Sequence, residues 1–458
     1  MHKDRPQSVS SKLTDRRSFL KLWAGGSLLG LPKSPRRKTK GLGAIDLDAH
    51  FPRYQAFDPL VPVWCLTPEA PRAIHRFFDT SPVSPSGRYL AVTQFPRTDR
   101  LPRPADTARV VLVDLFTGEH RTVADTRGWD TQLGAQVQWG DTDHALYFND
   151  VDTSTWQPFG VRMDPLSGTR RHLQGTIYMV APSGRHAVSP CLLRTGATQA
   201  GYGVIVPEEY VPTNKGAPAN DGVYVTDTRT GQSRLVASLN RIVETVLGPD
   251  ASSGGTYYSF HTKYNPQSTR IMLVLRFRPK GEKRFRPQLV TMKAGGSDLH
   301  LAIPAAEWAE KGGHHPNWCP DGKHVMMNLN INGRGKGLKL VRARYDGIGL
   351  EPMTEEVPGS GHPRLHPDGR HLVTDCYLHE PMAFDDGTVP LRLIDMRRGT
   401  ETRFLRIRTR PDWMGPSKEF RVDPHPAWDP TFRFVLFNAC PDGTRKVYAA
   451  DLGPLLEG

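Results

Sequence analysis

Cysteine is scarce in this chain, and long apolar runs are scarcer still. The five cysteines (Cys65, Cys191, Cys319, Cys376 and Cys440) stand far apart with no C-x-x-C pair. That spacing excludes a disulfide framework and makes each one, in the first instance, a small buried hydrophobe. The clearest apolar stretch, residues 22–31, is too short to span a bilayer as a stable helix, so no stable membrane insertion is expected. Charge imbalance is also smaller than it looks. The net charge is +13, but residues 1–40 hold eleven Lys/Arg and two acids, leaving only +4 for the rest. With no basic stripe interleaved with aromatics, nucleic acid is not an expected partner, and no nucleotide cofactor is expected either.

Turn formers and aromatics are abundant: 43 glycines, 40 prolines, 9 Trp, 18 Phe and 13 Tyr. This composition suits many short strands joined by turns. Seven segments repeat one grammar, a P-D/S-G type turn followed by a short apolar run. Their turn slots fall at Pro85, Gly140, Pro182, Pro266, Pro320, Pro367 and Pro430. Most are followed by a strand-D-x-x-x-G-strand hairpin such as ARVVLVDLFTGEHRTV. The spacing predicts an all-β fold, a seven-bladed β-propeller of four-stranded blades over residues 41–458. Residues 42–66 are expected to supply the outer strand that closes the ring against the last blade.

The repeats carry a chemical signal in register. His261, His315, His362 and His425 each lie five residues before the turn proline of their repeat. A shared place in a repeat is a shared place in space, so the four imidazoles should converge along blades four to seven. The same slot holds Thr80, Ala135 and Ile177 in blades one to three, with Gln136 one residue later in the second. Three imidazoles with a water or a carboxylate suit zinc or manganese, and His314, His366 and Asp423 lie near enough to support them. Cys319 and Cys376 are alternative thiolate ligands. The longest interval between turn slots, Pro182 to Pro266, implies a large loop after the inner strand of blade three, and it bears Gly201-Tyr202-Gly203. Arg276 and Arg278 end a strand and would suit a substrate carboxylate.

The leader has its own signature. Residues 15–21, DRRSFLK, resemble the twin-arginine export motif, and the weakly apolar stretch follows, although no A-x-A cleavage site does. Export by the twin-arginine machinery, to the periplasm or beyond, is the expectation for residues 1–40.

An exported TolB-like propeller with histidines on successive blades resembles the oligogalacturonate lyases and, more loosely, the ulvan lyases, across most of residues 75–452. The resemblance implies manganese held by three histidines and a glutamine, and β-elimination on an acidic carbohydrate substrate. In the family motif Q-x-x-H-x-H only His425 matches here; Phe420 stands in the glutamine slot and Asp423 in that of the first histidine. The resemblance implies His261 as base, Tyr202 as acid and Arg276 as partner of the uronate carboxylate. The residues themselves add the rest. The H-P context shared by His315, His362 and His425 marks them as the expected ligands of a manganese or zinc ion. Gln136, Asn149 and Arg278 are expected at the substrate, with Gln136 and Asn149 standing in blades two and three where the ulvan lyases have paired histidines. Two other readings stand beside it. One is a non-catalytic TolB-like binding or assembly module. The other is a glycoside hydrolase using two carboxylates among Asp375, Asp423 and Glu419.

Overall fold

The structure, a computed structural model, describes residues 41–457, so the expected export leader lies outside the described residues. These residues form seven antiparallel sheets of four strands each, the seven-bladed propeller that the repeat spacing predicts. Inner strands are short, as in Gln138–Trp139, Arg364–Leu365 and Ala427–Trp428, and second and third strands are longer, as in Tyr89–Gln94 and Thr388–Asp395. Those middle strands do not alternate apolar with polar. Thr388–Asp395 and Phe434–Ala439 are buried at every residue, because each blade is covered by a neighbour on both faces. Each buried Val, Leu or Phe side chain contributes roughly 1.5–3 kcal/mol relative to exposure.

The ring is closed without covalent help. Val63–Cys65 adds as the outermost strand to Phe434–Ala439 and Lys446–Asp451, with Val63 opposite Ala450 and Cys65 opposite Tyr448. The expected closing strand is thus in place, and backbone pairing does what a disulfide does elsewhere.

The predicted hairpins form as well. In blade three Asp227 accepts from the amides of Arg229 and Thr230, both at 2.8 Å, and Gly231 takes φ +82°. The first turn glycine, Gly87, at φ +84°, also packs against the start of the described chain: a Cβ there would stand 2.7 Å from the Gly41 Cα.

The long interval between turn slots resolves into two features. A loop over residues 190–221 follows the second strand of blade three, His186–Ser189, rather than its inner strand as expected from sequence. The helix Leu239–Leu247 then links blades three and four, capped by the Ser238 hydroxyl on the Arg241 amide. No helix among the described residues is long and apolar enough to cross a membrane.

Candidate active site

His315, His362 and His425 stand near the start of their inner strands, His261 stands within Gly255–Tyr264, and the backbone at these places is unusual. His261 (φ 43°), His315 (φ 58°) and His425 (φ 50°) are left-handed, as is Gln136 (φ 57°) on blade two; in blade six Gly361 (φ 59°) takes this conformation just before His362. His261 is the extra residue of a bulge, since Phe260 pairs with Val274 and Thr262 with Leu273. A bulge re-aims a side chain that a regular strand would send elsewhere. Here it turns the His261 imidazole toward the channel axis.

At that axis the imidazoles meet an aromatic arch, residues 75–80, which leaves blade one after Ala73–Ile74. The Phe77 ring lies 5.3, 6.4, 6.0 and 4.7 Å from the rings of His261, His315, His362 and His425. The rings of His315 and His362 stack at 3.9 Å, and those of His362 and His425 meet edge-on at 4.5 Å. The spacing coincidence is therefore a single cluster.

Within it, one group has the geometry of a metal centre. Ligand atoms of His362, Asp423 and His425 lie within 4.8 Å of one another, and all three residues are buried. His362 Nε2 and both ring nitrogens of His425 have no hydrogen-bond partner. Buried orphaned nitrogens are costly unless something else binds them. The Nδ1 of His362 sits 2.9 and 3.0 Å from the Asp375 carboxylate oxygens, and Asp375 also accepts from the His362 amide at 2.6 Å. A carboxylate behind an imidazole is the usual support of a metal-binding histidine, because it fixes the ring and leaves the far nitrogen free. Desolvation and the neighbouring imidazoles push His425 well below the ordinary histidine value, so it stays neutral, as a ligand must. These residues fit a divalent transition metal. The group holds Asp423 beside the two histidines, and His315, expected as a ligand from sequence, lies outside it.

His315 is set differently. Its Nδ1 faces the Gly361 carbonyl at 2.7 Å, which leaves Nε2 as the lone-pair atom, 3.2 Å from the Tyr377 hydroxyl. It is half-buried, and desolvation keeps it neutral. His261 is more enclosed: its Nδ1 is engaged by the Tyr178 hydroxyl, and burial again pushes its titration down.

Tyr202 reaches the cluster on the 190–221 loop. Gly201 and Gly203, at φ +87° and +93°, fold the loop back, and a Cβ on Gly203 would meet the Leu192 carbonyl at 2.6 Å. The Gly203 amide donates to buried Asp130 at 3.0 Å, and the Gly201 carbonyl accepts from Gln132 at 3.1 Å, so blade two anchors the loop. The Tyr202 ring lies 5.6 Å from that of His261, and its hydroxyl accepts from Arg421 at 3.2 Å. Arg421 also donates to Asp423 at 3.1 Å. Burial raises the Tyr202 phenol to about 12.

The remaining sequence assignments fare unequally. Arg276 is close by but engaged: it donates to the Thr198 carbonyl (2.9 Å) and to Gln199 (2.6 Å), and stacks on Phe260 at 3.6 Å. Arg278 stands two residues further out against Tyr258 and Phe285. Gln136 accepts from Arg76 at 2.9 Å. Asn149 is wholly buried, and its side-chain amide both donates to the Ile177 carbonyl and accepts from the Ile177 amide, each at 2.7 Å, so it does not face the histidine cluster. Cys319 and Cys376 are corrected too, because burial pushes both thiols up to about 12 and neither joins the cluster. Asp375 is committed to His362, which removes it as the free acid of a hydrolase pair. Arg421 and Tyr377 were missed as site residues by motif reading, since nothing in their spacing repeats, and Asp375, expected as a hydrolase carboxylate, stands instead behind His362. Two clefts, of about 330 and 460 Å³, lie around Tyr224 and around Lys215, away from the histidines. Chemistry, not concavity, locates this site.

No family model matches the chain, and no curated protein matches it. Among solved structures it is similar to an oligogalacturonate lyase in complex with manganese, at TM-score 0.62 and 16% identity over 89% of this chain and 97% of that one. It is similar to the oligogalacturonate lyase of Vibrio parahaemolyticus at TM-score 0.60 and 15% identity, covering 88% and 97%. The tricorn protease follows at 0.50 and 12%, covering 83% of this chain and 34% of that one. At such identities likeness speaks for architecture, and the chain shares the propeller fold of the oligogalacturonate lyases.

Proposed function

We propose that this chain is an exported lyase that cleaves uronic-acid-containing oligo- or polysaccharides by β-elimination. One observation carries the reading: His362 and His425 hold ring nitrogens with no partner among the described residues next to the Asp423 carboxylate, which Arg421 steadies, beside a half-buried neutral histidine and a protonated tyrosine. A divalent metal, manganese or zinc, would be held by those three residues and would offset the charge of the uronate carboxylate, which acidifies the proton on C5.

The rest falls to this chain's own side chains. The His315 Nε2 lone pair, fixed by the Gly361 carbonyl, takes the C5 proton. The Tyr202 hydroxyl, still protonated at neutral pH, gives its proton to the departing O4. The C4–O4 bond breaks as the C4–C5 double bond forms, and proton exchange with solvent resets both groups. Arg421 holds the Tyr202 hydroxyl and the Asp423 carboxylate in one arrangement. His261 supports the Tyr202 ring from its Tyr178 bond, and Arg276 ties down residues 198–199 of the loop that carries Tyr202.

The test is a screen of purified protein against pectin fragments, ulvan and other uronates, with and without added manganese or zinc. The expected result is an ultraviolet-absorbing unsaturated product from one of them, with bound metal and product both lost in His362→Ala. Full metal content in His362→Ala, or no unsaturated product from any uronate, would overturn the reading.

A further inference from the structure

Beneath the arch lies a second tier of polar side chains, two residues further along the inner strands than the histidines. Lys263 follows His261, Asn317 follows His315 and Arg364 follows His362. The Phe77 ring that touches all four imidazoles also lies 4.7 Å from the Lys263 ammonium, and Phe78 lies 4.4 Å from it, so the two rings separate the tiers. Lys263 donates to the Pro316 carbonyl at 2.9 Å and pairs with Asp79 at 3.2 Å. Arg76 also pairs with Asp79, and its guanidinium lies over the Tyr178 ring. Arg364 is half-buried and makes no ion pair among the described residues, yet its charge bears on both Asp79 and Lys263.

The balance of this tier is one-sided. Three cations, Arg76, Lys263 and Arg364, surround one carboxylate, Asp79. Arg76, Lys263 and Asp79 are at most 3% exposed. Arg76 Nη2 and Asn317 Nδ2 are buried donors with no acceptor, and the one unmatched acceptor, an Asp79 oxygen, faces Lys263. Excess buried cations and orphaned donors are both costly, and one negatively charged acceptor relieves both. Gln138, on the neighbouring inner strand, does not supply it: its amide is taken by the backbone at Gln136, Tyr178 and Val180. Arg364 is the member of the tier that is only half-buried.

We propose that this lower tier is an anion site that takes one small oxyanion or carboxylate between Arg364, Lys263 and Asn317, separate from the histidine cluster and independent of the lyase reading. The anion accepts from the orphaned Asn317 Nδ2 and neutralises the cations that Asp79 leaves unmatched, so it fastens the arch that forms the floor of the histidine site.

The experiment is thermal unfolding and calorimetric titration of the full chain at constant ionic strength, exchanging chloride for sulfate, phosphate or acetate. The expected result is binding of one anion per chain, with a saturable rise in melting temperature of a few degrees. Preference for sulfate and phosphate identifies an inorganic oxyanion, and preference for acetate a carboxylate. Arg364→Met should lose the rise and, relieved of an unmatched charge, melt no lower than the wild type in chloride. The same loss is expected of Lys263→Met. Absence of saturable binding to the wild type overturns the proposal without recourse to any variant. So does an unchanged anion response in a folded Arg364→Met protein, or an Arg364→Met that melts lower in chloride because the arginine serves only Asp79.

Discussion

The two sides of the channel share one backbone plan and differ in what their polar atoms are doing. Gln136 on blade two and His261, His315 and His425 on blades four, five and seven all take a left-handed conformation in or just before the inner strand. On blade two these polar groups are satisfied within the protein: Gln136 by Arg76, Gln138 by backbone, Asn149 by Ile177. On the side of blades four to seven, His362 and His425 keep nitrogens with no partner at all. Position in the repeat therefore does not distinguish a functional residue from a structural one. The unmatched hydrogen-bond capacity of the side chain does.

The largest effect that sharpens this contrast is acid unfolding. His75, on the arch, is 1% exposed with both ring nitrogens unpartnered, and desolvation lowers it to about 3. The unfolded chain binds that proton near pH 6.5. Between those values the unfolded state holds more protons, so stability is fully present above pH 6.5 and falls as the pH drops toward 3. His75 alone contributes up to about 5 kcal/mol of this slope, and His314, also lowered to about 3, adds to it. Melting temperature measured from pH 7.5 to pH 4 should drop steeply, and His75→Phe should flatten the curve. A wild-type curve that is level over that range would mean that these imidazoles are solvated after all.

Next in size is His315→Gln, which breaks the contrast within the histidine arc itself. Loss of a general base lowers turnover about 10²–10⁴-fold. Metal content, read by elemental analysis, should stay at the wild-type level, because Asp423 rather than His315 completes the His362–His425 group. Loss of metal along with turnover would return His315 to the ligand set.

Much of this was legible in the chain. Seven turn slots, the D-x-x-x-G hairpins and the closing strand at residues 63–65 all follow from local chemistry, since turn residues and strand periodicity are short-range signals. The histidine convergence was legible for the same reason: the repeat converts a sequence interval into a place. What was not legible depends on residues outside the repeat. The Phe77–Phe78 arch has no counterpart in other blades, so no interval announces it. Arg421 and Tyr377 join the site through contacts between different blades and loops, at separations such as the 219 residues between Arg421 and Tyr202, and Asp375 joins it from within blade six, as a partner of His362. Asp423 was within reach, two residues before His425, but a carboxylate beside a histidine is common, and only convergence with His362 singles it out.

The smallest effect tests the other side of the channel. Asn149→Ala should leave metal content and turnover unchanged, because its amide faces the Ile177 backbone and nothing in the cluster. It should destabilise the fold by about 1–3 kcal/mol, since the Ile177 amide and carbonyl would lose their partners in a buried place where water cannot replace them. Denaturant unfolding measures the change, and a matched Asn149→Asp variant refines it: the carboxylate can still accept from the Ile177 amide but cannot donate to the carbonyl, and it buries a charge. If Asn149→Ala instead reduced turnover at unchanged stability, the asparagine would belong to the substrate, and the division between a satisfied side and an unsatisfied side would have to be redrawn around blade two.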